Sequence, residues 1–433
     1  MKRKDIVKFL IREFQYREVP DFVPREDHIP VDLAKIITLV GPRRSGKTFR
    51  LYQIVSEILE THSKESIIFL NLEDERLDFA AHDLDLIIQG YRELYPEQDL
   101  SQCTFFFDEI QNVPGWEQFI RRVYDTLSQR IFLTGSNAKM LSSEIATSLR
   151  GRSISYEVFP LSFREYLRFQ NISYDRYIPE IQAQVSNALD EYMEYGGFPE
   201  LVPIRDQEIK NKILQEYYQV MLFRDLVDHY EIKNIIALKY FLKRLLASAT
   251  KEISVHRIFN DLKSANIKIG KNSLYAFLDY AESIFLVKTL AKFSAKLPVR
   301  ESGERKIFAI DTGLLNALIY RFTADKGKAI EQIVYWELTR RAGQVFFMKN
   351  GFECDFITMT PRGSVMNAIQ VCLDLTDPLT RKREIKGLVT ACKKLNLSRG
   401  TIISFDEQEE FIAHNVQITV IPLPQFLCER DVV

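Results

Sequence analysis

Short apolar runs alternate with amphipathic stretches over the first third of the chain. Ile36–Val40, Ser66–Leu72, Cys103–Phe107 and Arg130–Thr134 are runs of strand length. Between them, residues 49–61, 83–94 and 116–127 carry apolar positions at helical spacing. Strands that are apolar on both sides are buried on both faces, so the pattern predicts an α/β doubly wound parallel sheet with helices on both faces. Ahead of it, residues 1–19 predict an amphipathic helix whose apolar face is Ile6, Phe9, Leu10 and Phe14. Pro20, Pro24 and Pro30 then mark a loop.

The pattern changes at Pro160. Residues 161–169, 187–195 and 208–230 predict helices, with Gly196-Gly197-Phe198-Pro199 as a break between two of them. Residues 254–263, a turn at 267–270 and residues 273–283 predict a helix-turn-helix, with 285–292 as a wing strand. From Lys306 a third pattern sets in. Strands are predicted at 306–310, 344–349, 355–359, 367–372, 400–404 and 417–422, and helices at 329–341 and 385–395. The expected organisation is an N-terminal helix and linker (1–35), a sheet domain (36–159), a helical region (160–230), a winged-helix-like domain (231–300) and a C-terminal α/β domain (301–433).

Composition narrows the class. With 433 residues the chain exceeds one ordinary core. Acids and bases nearly cancel, at a net charge of −1, so no global field points to nucleic acid, although a local basic face remains compatible. Five cysteines without a C-x-x-C pair suggest neither a disulfide framework nor a zinc site. There is no signal-type apolar block and no 18-residue apolar run, so a cytoplasmic protein without membrane association is expected.

The chemistry concentrates at strand ends. Gly41-Pro42-Arg43-Arg44-Ser45-Gly46-Lys47-Thr48 follows the first strand and opens a helix at Phe49, which is the context that makes G-x-x-x-x-G-K-[ST] a phosphate-binding loop. The glycines let successive N–H groups turn inward, and the helix dipole adds positive potential. Lys47 is the expected contact of the β- and γ-phosphates, and Thr48 a Mg²⁺ ligand. The third strand ends in Asp108-Glu109, with Asp108 suited to hold Mg²⁺ and Glu109 to polarise the attacking water. Ser136 and Asn137 end the fourth strand and are candidates for a γ-phosphate contact or for helix capping. Arg150 and Arg152 are candidates for an arginine finger acting on the nucleotide of a neighbouring subunit, which implies a homo-oligomer.

The set GPRRSGKT, FFFDEIQNVPGWE, FLTGSNAKML, LRGRSISYEVFPLSFREYL, EYMEYGGFPELV, FRDLV and AIDTGLLNAL resembles prokaryotic AAA+-type P-loop ATPases in which an ATPase module precedes a C-terminal domain of unknown function. The resemblance implies ATP and Mg²⁺ as ligands, hydrolysis as the reaction and a P-loop sheet of the additional-strand class. It maps the Walker A motif onto Gly41–Thr48, Walker B onto Asp108 and Glu109, and the sensor onto Ser136 or Asn137.

The C-terminal domain resembles the restriction-endonuclease-like core, in which an acid is followed after a gap by [DE]-x-K on the next strand. Asp355 fits the first acid, and Glu331 or Glu337 an upstream helical acid. Gln370 stands where the second acid belongs and Cys372 where the lysine belongs, so an inactive nuclease-like domain is expected, with Lys382 or Lys386 able to substitute only by migration. Lys263, Lys268, Lys271 and Asn272 around the helix-turn-helix suit contacts to the phosphates of double-stranded DNA. Two readings of function thus stand beside each other: a Mg²⁺-dependent ATPase, and a nucleotide-switched module that docks DNA or a protein partner. A metal-dependent nuclease is the third.

Overall fold

The computed structural model describes residues 2–136, 149, 151–294, 304–319, 326–341 and 343–430. The chain divides into two compact units, 1–159 and 160–433, except that residues 283–285 cluster with the first.

The first unit opens with α1 (Arg3–Tyr16), which buries Val7, Leu10 and Ile11 and stacks Phe14 on Phe69 at 4.7 Å. The buried face is therefore shifted from the expected one. Val7, Leu10, Ile11 and Phe14 follow the i, i+3, i+4, i+7 rule, whereas Phe9 lies on the rim, half exposed beneath the Arg76 guanidinium.

The sheet holds β1 (Ile36–Val40), β2 (Ile67–Asn71), β3 (Thr104–Asp108), β4 (Ile131–Gly135) and β5 (Ser153–Glu157), all parallel, in the order β2-β3-β4-β1-β5. It is a P-loop NTPase sheet of the additional-strand class, because β4 intervenes between β1 and β3. Four strands are the expected ones. β5 is additional to them: Ser153-Ile154-Ser155-Tyr156-Glu157 is an edge strand with no buried position, so it lacks an apolar run. Phe69, Phe106 and Phe132 face one another in register across β2, β3 and β4, with ring centroids 5.8 and 4.9 Å apart. Such cross-strand aromatic pairs contribute about 0.5–1.5 kcal/mol each beyond their area. Helices α2 (Lys47–Leu59), α3 (Asp85–Leu94) and α4 (Trp116–Thr126) complete the alternation. Parallel strands in register bring Val40, Asp108 and Gly135 to the same edge, where ligands of such sheets sit.

The second unit starts with α5 (Phe163–Phe169), α6 (Pro179–Tyr195) and α7 (Gln207–Val220). The helix expected to run unbroken to Tyr230 instead changes winding at Met221, and Met221–Asp228 is π-helical. Helices α8 (Ile235–Ala247), α9 (Val255–Ser264) and α10 (Lys271–Ser283) follow, then β6 (Val287–Ala291) paired antiparallel with β7 (Arg305–Ala309). After α11 (Thr312–Leu318) and α12 (Lys326–Arg341) comes a mixed sheet in the order β12-β13-β11-β10-β9-β8. Its strands are β8 (Gln344–Lys349), β9 (Glu353–Met359), β10 (Val365–Val371), β11 (Arg399–Ser404), β12 (Glu409–Ala413) and β13 (Val416–Pro422). Helix α13 (Pro378–Leu395) crosses from β10 to the parallel strand β11, and α14 (Leu423–Cys428) ends the described chain's helices.

Two motifs of this unit seat on one another. Asp311 caps α11 by accepting from Leu314 N at 3.0 Å, and it also accepts from Gly197 N at 2.7 Å. Thr312 Oγ1 donates to Tyr192 O at 3.1 Å, and Asn316 Nδ2 to Glu194 O at 2.9 Å. Gly313 admits this approach, since a Cβ there would lie 2.0 Å from Tyr195 O. All five cysteines are free thiols. Among the described residues no helix is long and apolar enough to cross a membrane.

Candidate functional site

The loop after β1 is wound tightly around its lysine. Arg44 and Gly46 adopt positive φ, at 65° and 94°, and a Cβ on Gly41 would lie 2.2 Å from Val158 O. Lys47 and Thr48 are the first residues of α2, so the dipole of that helix points into the loop. Lys47 is only 5% exposed and donates to Gly41 O at 3.2 Å and Pro42 O at 3.0 Å. Its Nζ is 3.6 Å from Glu109 Oε1. Ser45 Oγ is buried without a hydrogen-bond partner among the described residues. Arg43 faces Glu73 at 3.5 Å, and Phe49 is half exposed with its ring edge-on to Tyr52.

The acidic pair closes the site from β3. Thr48 Oγ1 donates to Asp108 Oδ2 at 2.8 Å, and Thr134 Oγ1 donates to Asp108 Oδ1 at 2.5 Å. The Thr134 hydroxyl also accepts from Glu109 N at 2.8 Å. Glu109 sits in the left-handed region at φ 52°, which turns its side chain out of the strand and towards Lys47. Burial pushes the Asp108 carboxyl up to about 6; the Glu109 charge adds to this, and the Thr134 and Thr48 hydroxyls oppose it. Burial also pushes Glu109 upward, but Lys47, Gln111 and Arg43 outweigh it and leave its pKa below the ordinary value. Gln111 Nε2 donates to Glu109 Oε2 at 2.5 Å and to Ser136 Oγ at 3.4 Å.

Lys47, Thr48, Asp108, Glu109 and the buried Ser136 are thus brought together. Asn137 and Arg150 lie outside the described residues. Arg152 is not at this site. It precedes β5, its carbonyl accepts from Ile36 N at the start of β1, and its guanidinium pairs with Asp125 at 2.9 Å. That places it at the opposite edge of the sheet, five strand residues or roughly 16 Å away. Three residues of the site carry little or no signal in the sequence. Thr134 is visible only as the polar end of an apolar strand. Gln111 has proximity to Glu109 as its one signal. Arg25, in the proline-punctuated loop, donates to Ser45 O at 3.0 Å and Phe159 O at 2.7 Å, and no local pattern marks it.

A second polar cluster lies in the C-terminal unit. Lys306, on β7, is buried and places its Nζ 2.9 Å from Glu331, 2.9 Å from Glu353 and 3.4 Å from Asp355. Burial works against the ammonium, and the three carboxylates outweigh it, holding its pKa above the ordinary lysine value. Burial and the Asp355 charge push Glu331 up to about 7. Gln370 Nε2 donates to Glu384 Oε2 at 2.6 Å, and Val371 N donates to Asp355 Oδ2 at 3.0 Å. The helical acid of this cluster is Glu331, since Glu337 is occupied by Arg341 at 2.6 Å. The ammonium beside Asp355 comes from Lys306, and Lys382 and Lys386 are exposed on α13. Cys372 is buried, donates its thiol to Asp374 O at 3.0 Å, and has its pKa pushed up to about 11 by that burial. Among the described residues no group of three or more His, Cys, Asp or Glu has metal-holding geometry.

The phosphate-type loop, the acidic strand end and the parallel sheet define an AAA-type P-loop unit. Residues 33–167 match the family model described as AAA domain, and residues 186–325 match a domain of unknown function, DUF8612. The chain belongs to the same family as the uncharacterized protein MJ1544 of Methanocaldococcus jannaschii, to which it is 36% identical over 395 residues, 89% of this chain and 86% of that one. An uncharacterized protein of Haemophilus influenzae is 30% identical over 331 residues, 75% of this chain and 79% of that one. Solved structures with some similarity include the Aeropyrum pernix ORC1 protein in complex with DNA, at 11% identity and a TM-score of 0.32, covering 73% of this chain and 91% of that one. CDC6P from Pyrobaculum aerophilum gives 13% identity and a TM-score of 0.26, covering 77% and 94%. At such scores the likeness does not extend to the overall arrangement.

Proposed function

We propose that the first unit binds ATP with Mg²⁺ and hydrolyses it to ADP and phosphate. The observation that carries this reading is the meeting of Lys47, Thr48, Asp108 and Glu109 at one edge of a parallel sheet, with Thr48 Oγ1 2.8 Å from Asp108. The loop from Gly41 to Phe49 cradles the phosphates with its N–H groups, and Lys47 leaves the Gly41 and Pro42 carbonyls for phosphate oxygens. The residues fit Mg²⁺: a hydroxyl and a carboxylate are the hard oxygen donors it takes, and the unpartnered Ser45 Oγ is a further polar atom in the loop. When bound, the ion neutralises phosphate charge. Asp108 and Thr48 hold it, Glu109 takes the proton of the attacking water, and Ser136 and Asn137 contact the γ-phosphate. Arg152 pairs with Asp125 and lies far from the loop of its own chain, so an arginine-finger role for it, or for Arg150, requires the nucleotide of a neighbouring subunit in a homo-oligomer. Lys47→Ala is expected to abolish nucleotide binding, and Glu109→Gln to keep binding while stopping turnover. Equal ATP affinity for Lys47→Ala and wild type would sink the reading. Mass in solution with and without ATP tests the assembly.

A second reading adds double-stranded DNA as a partner of the second unit. It is supported by the order α9, turn, α10, then the β6–β7 pair, which is that of a winged helix, and by exposed Lys263, Lys268, Lys271 and Asn272. In this reading residues 160–230 are a helical connector, 231–300 a winged-helix domain and 301–433 an inactive nuclease-like domain, in a cytoplasmic protein. Slow hydrolysis then resets a conformation that docks DNA or a protein. A gel shift across salt concentrations, with and without ATP, tests the DNA arm, and absence of binding at low salt rejects it. Plasmid incubation with Mg²⁺ or Mn²⁺, against Asp355→Ala, tests the nuclease arm.

A further inference from the structure

Gln111 lies in the single 3-10 turn Ile110–Asn112 that follows Glu109. Its amide nitrogen donates to Glu109 Oε2 at 2.5 Å and reaches Ser136 Oγ at 3.4 Å. Its amide oxygen is buried and has no hydrogen-bond partner among the described residues. A buried acceptor left open costs stability, and such costs persist where a ligand or water completes the set. The other carboxylate oxygen, Glu109 Oε1, lies 3.6 Å from Lys47 Nζ, and Lys47 is at the same time shared with the Gly41 and Pro42 carbonyls.

In the hydrolytic reading, the charge of an arriving triphosphate would draw the Lys47 ammonium from Glu109 and free Oε1, while Oε2 would keep its bond to Gln111. We infer that Gln111 is a positioning residue for Glu109: it fixes the carboxylate through Oε2 so that Oε1 faces the attacking water, and its open amide oxygen accepts that water's second hydrogen. The inference rests on the hydrolytic reading above. The water oxygen bonds to the γ-phosphorus as the bond to the β–γ bridging oxygen breaks. One proton passes to Glu109 Oε1, and the electron pair leaves with ADP. The amide's reach to Ser136 ties this geometry to the end of β4, where the γ-phosphate contact is expected.

The test uses the full chain in steady-state ATP turnover. Charged or titratable groups facing Glu109 are Lys47 and Arg43 from the loop and α2, and Asp108 from β3; Thr134 on β4 and Ser136 just after it contribute only hydroxyls. Gln111→Ala is expected to lower kcat at least about tenfold, within what positioned proton transfer supplies, with KM for ATP unchanged. Gln111→Glu keeps the shape but puts a like charge beside Glu109 in place of the donor, so it is expected to lower kcat further, again with KM unchanged. A packing role predicts the reverse order. Retained ATP affinity in both variants shows that they are folded. Wild-type kcat in both, or the reverse order of the two, overturns the inference while leaving the hydrolytic reading intact. Absence of turnover in the wild type overturns the two together.

Discussion

Thr134 Oγ1 donates to Asp108 Oδ1 at 2.5 Å while accepting the backbone N–H of Glu109. One hydroxyl on β4 therefore fixes the end of β3 at the point where both carboxylates leave it. Thr134→Val keeps the shape and removes the hydroxyl, leaving a buried N–H and a buried carboxyl oxygen short of a partner. Urea unfolding is expected to show a loss of about 1–3 kcal/mol, and Thr134→Ser is expected to recover most of it.

Asp108 carries a pH signature. Its pKa is pushed up to about 6 in the fold, against 3.8 ordinarily. Between those values the folded chain holds a proton that the unfolded chain releases, so this group's contribution to stability falls as pH rises from about 4 to about 6. Above that range the fold bears an ionised buried carboxylate. Asp108→Asn is expected to stabilise the nucleotide-free protein at pH 7.5 by at most about 3 kcal/mol, and to have no effect at pH 3. In the wild type, Mg²⁺ enhancement of nucleotide affinity is expected to fade below pH 6, as the carboxylate protonates. Equal unfolding midpoints for the variant and wild type at pH 7.5 would contradict the raised pKa.

Lys306 holds three carboxylates from two different elements. Lys306→Met leaves Glu331, Glu353 and Asp355 without their cation, at an expected cost of roughly 3–5 kcal/mol. Each acid then titrates higher than it does beside the ammonium, so the loss is largest near pH 8 and smallest near pH 5, where protonated carboxyls need no counter-charge. Adding Glu331→Gln and Asp355→Asn to the Lys306→Met variant is expected to recover stability at pH 8. Denaturant titrations at the two pH values distinguish this from simple cavity formation, which has no pH dependence.

Gly313 sits where a side chain has no room, since a Cβ would lie 2.0 Å from Tyr195 O, a backbone atom. Gly313→Ala is expected to cost at least about 2 kcal/mol by forcing α11 off the end of α6. Thermal unfolding checks this, with the exposed Gly270 changed to Ala as the tolerated control.

The legible parts of the molecule are those in which local pattern and tertiary position agree. β1 to β4 are built on apolar runs because both faces are covered, and the glycine-rich loop and acidic pair announce themselves at their ends. β5 is hidden in the pattern because an exposed edge strand need not be apolar. The π-helical stretch after Val220 has ordinary helical residues, so nothing in its composition marks the change of winding. The face of α1 is displaced from the expected one because Val7 and Ile11 complete the stripe better than Phe9. Lys306 cannot be read as a neighbour of Asp355, because the two lie far apart in sequence and on strands of two different sheets. Thr134 and Gln111 are ordinary polar residues until the partner carboxylates are seen.

Gly41 has a further consequence. The first glycine of the loop presses on the carbonyl of Val158, and Arg25 spans from the Ser45 carbonyl to that of Phe159. The loop after β1 and the segment after β5 are therefore packed directly on one another, with Arg25 bonded to both. A side chain at Gly41 would have to push the segment after β5 off the loop, so this one position ties the shape of the loop to that of the segment.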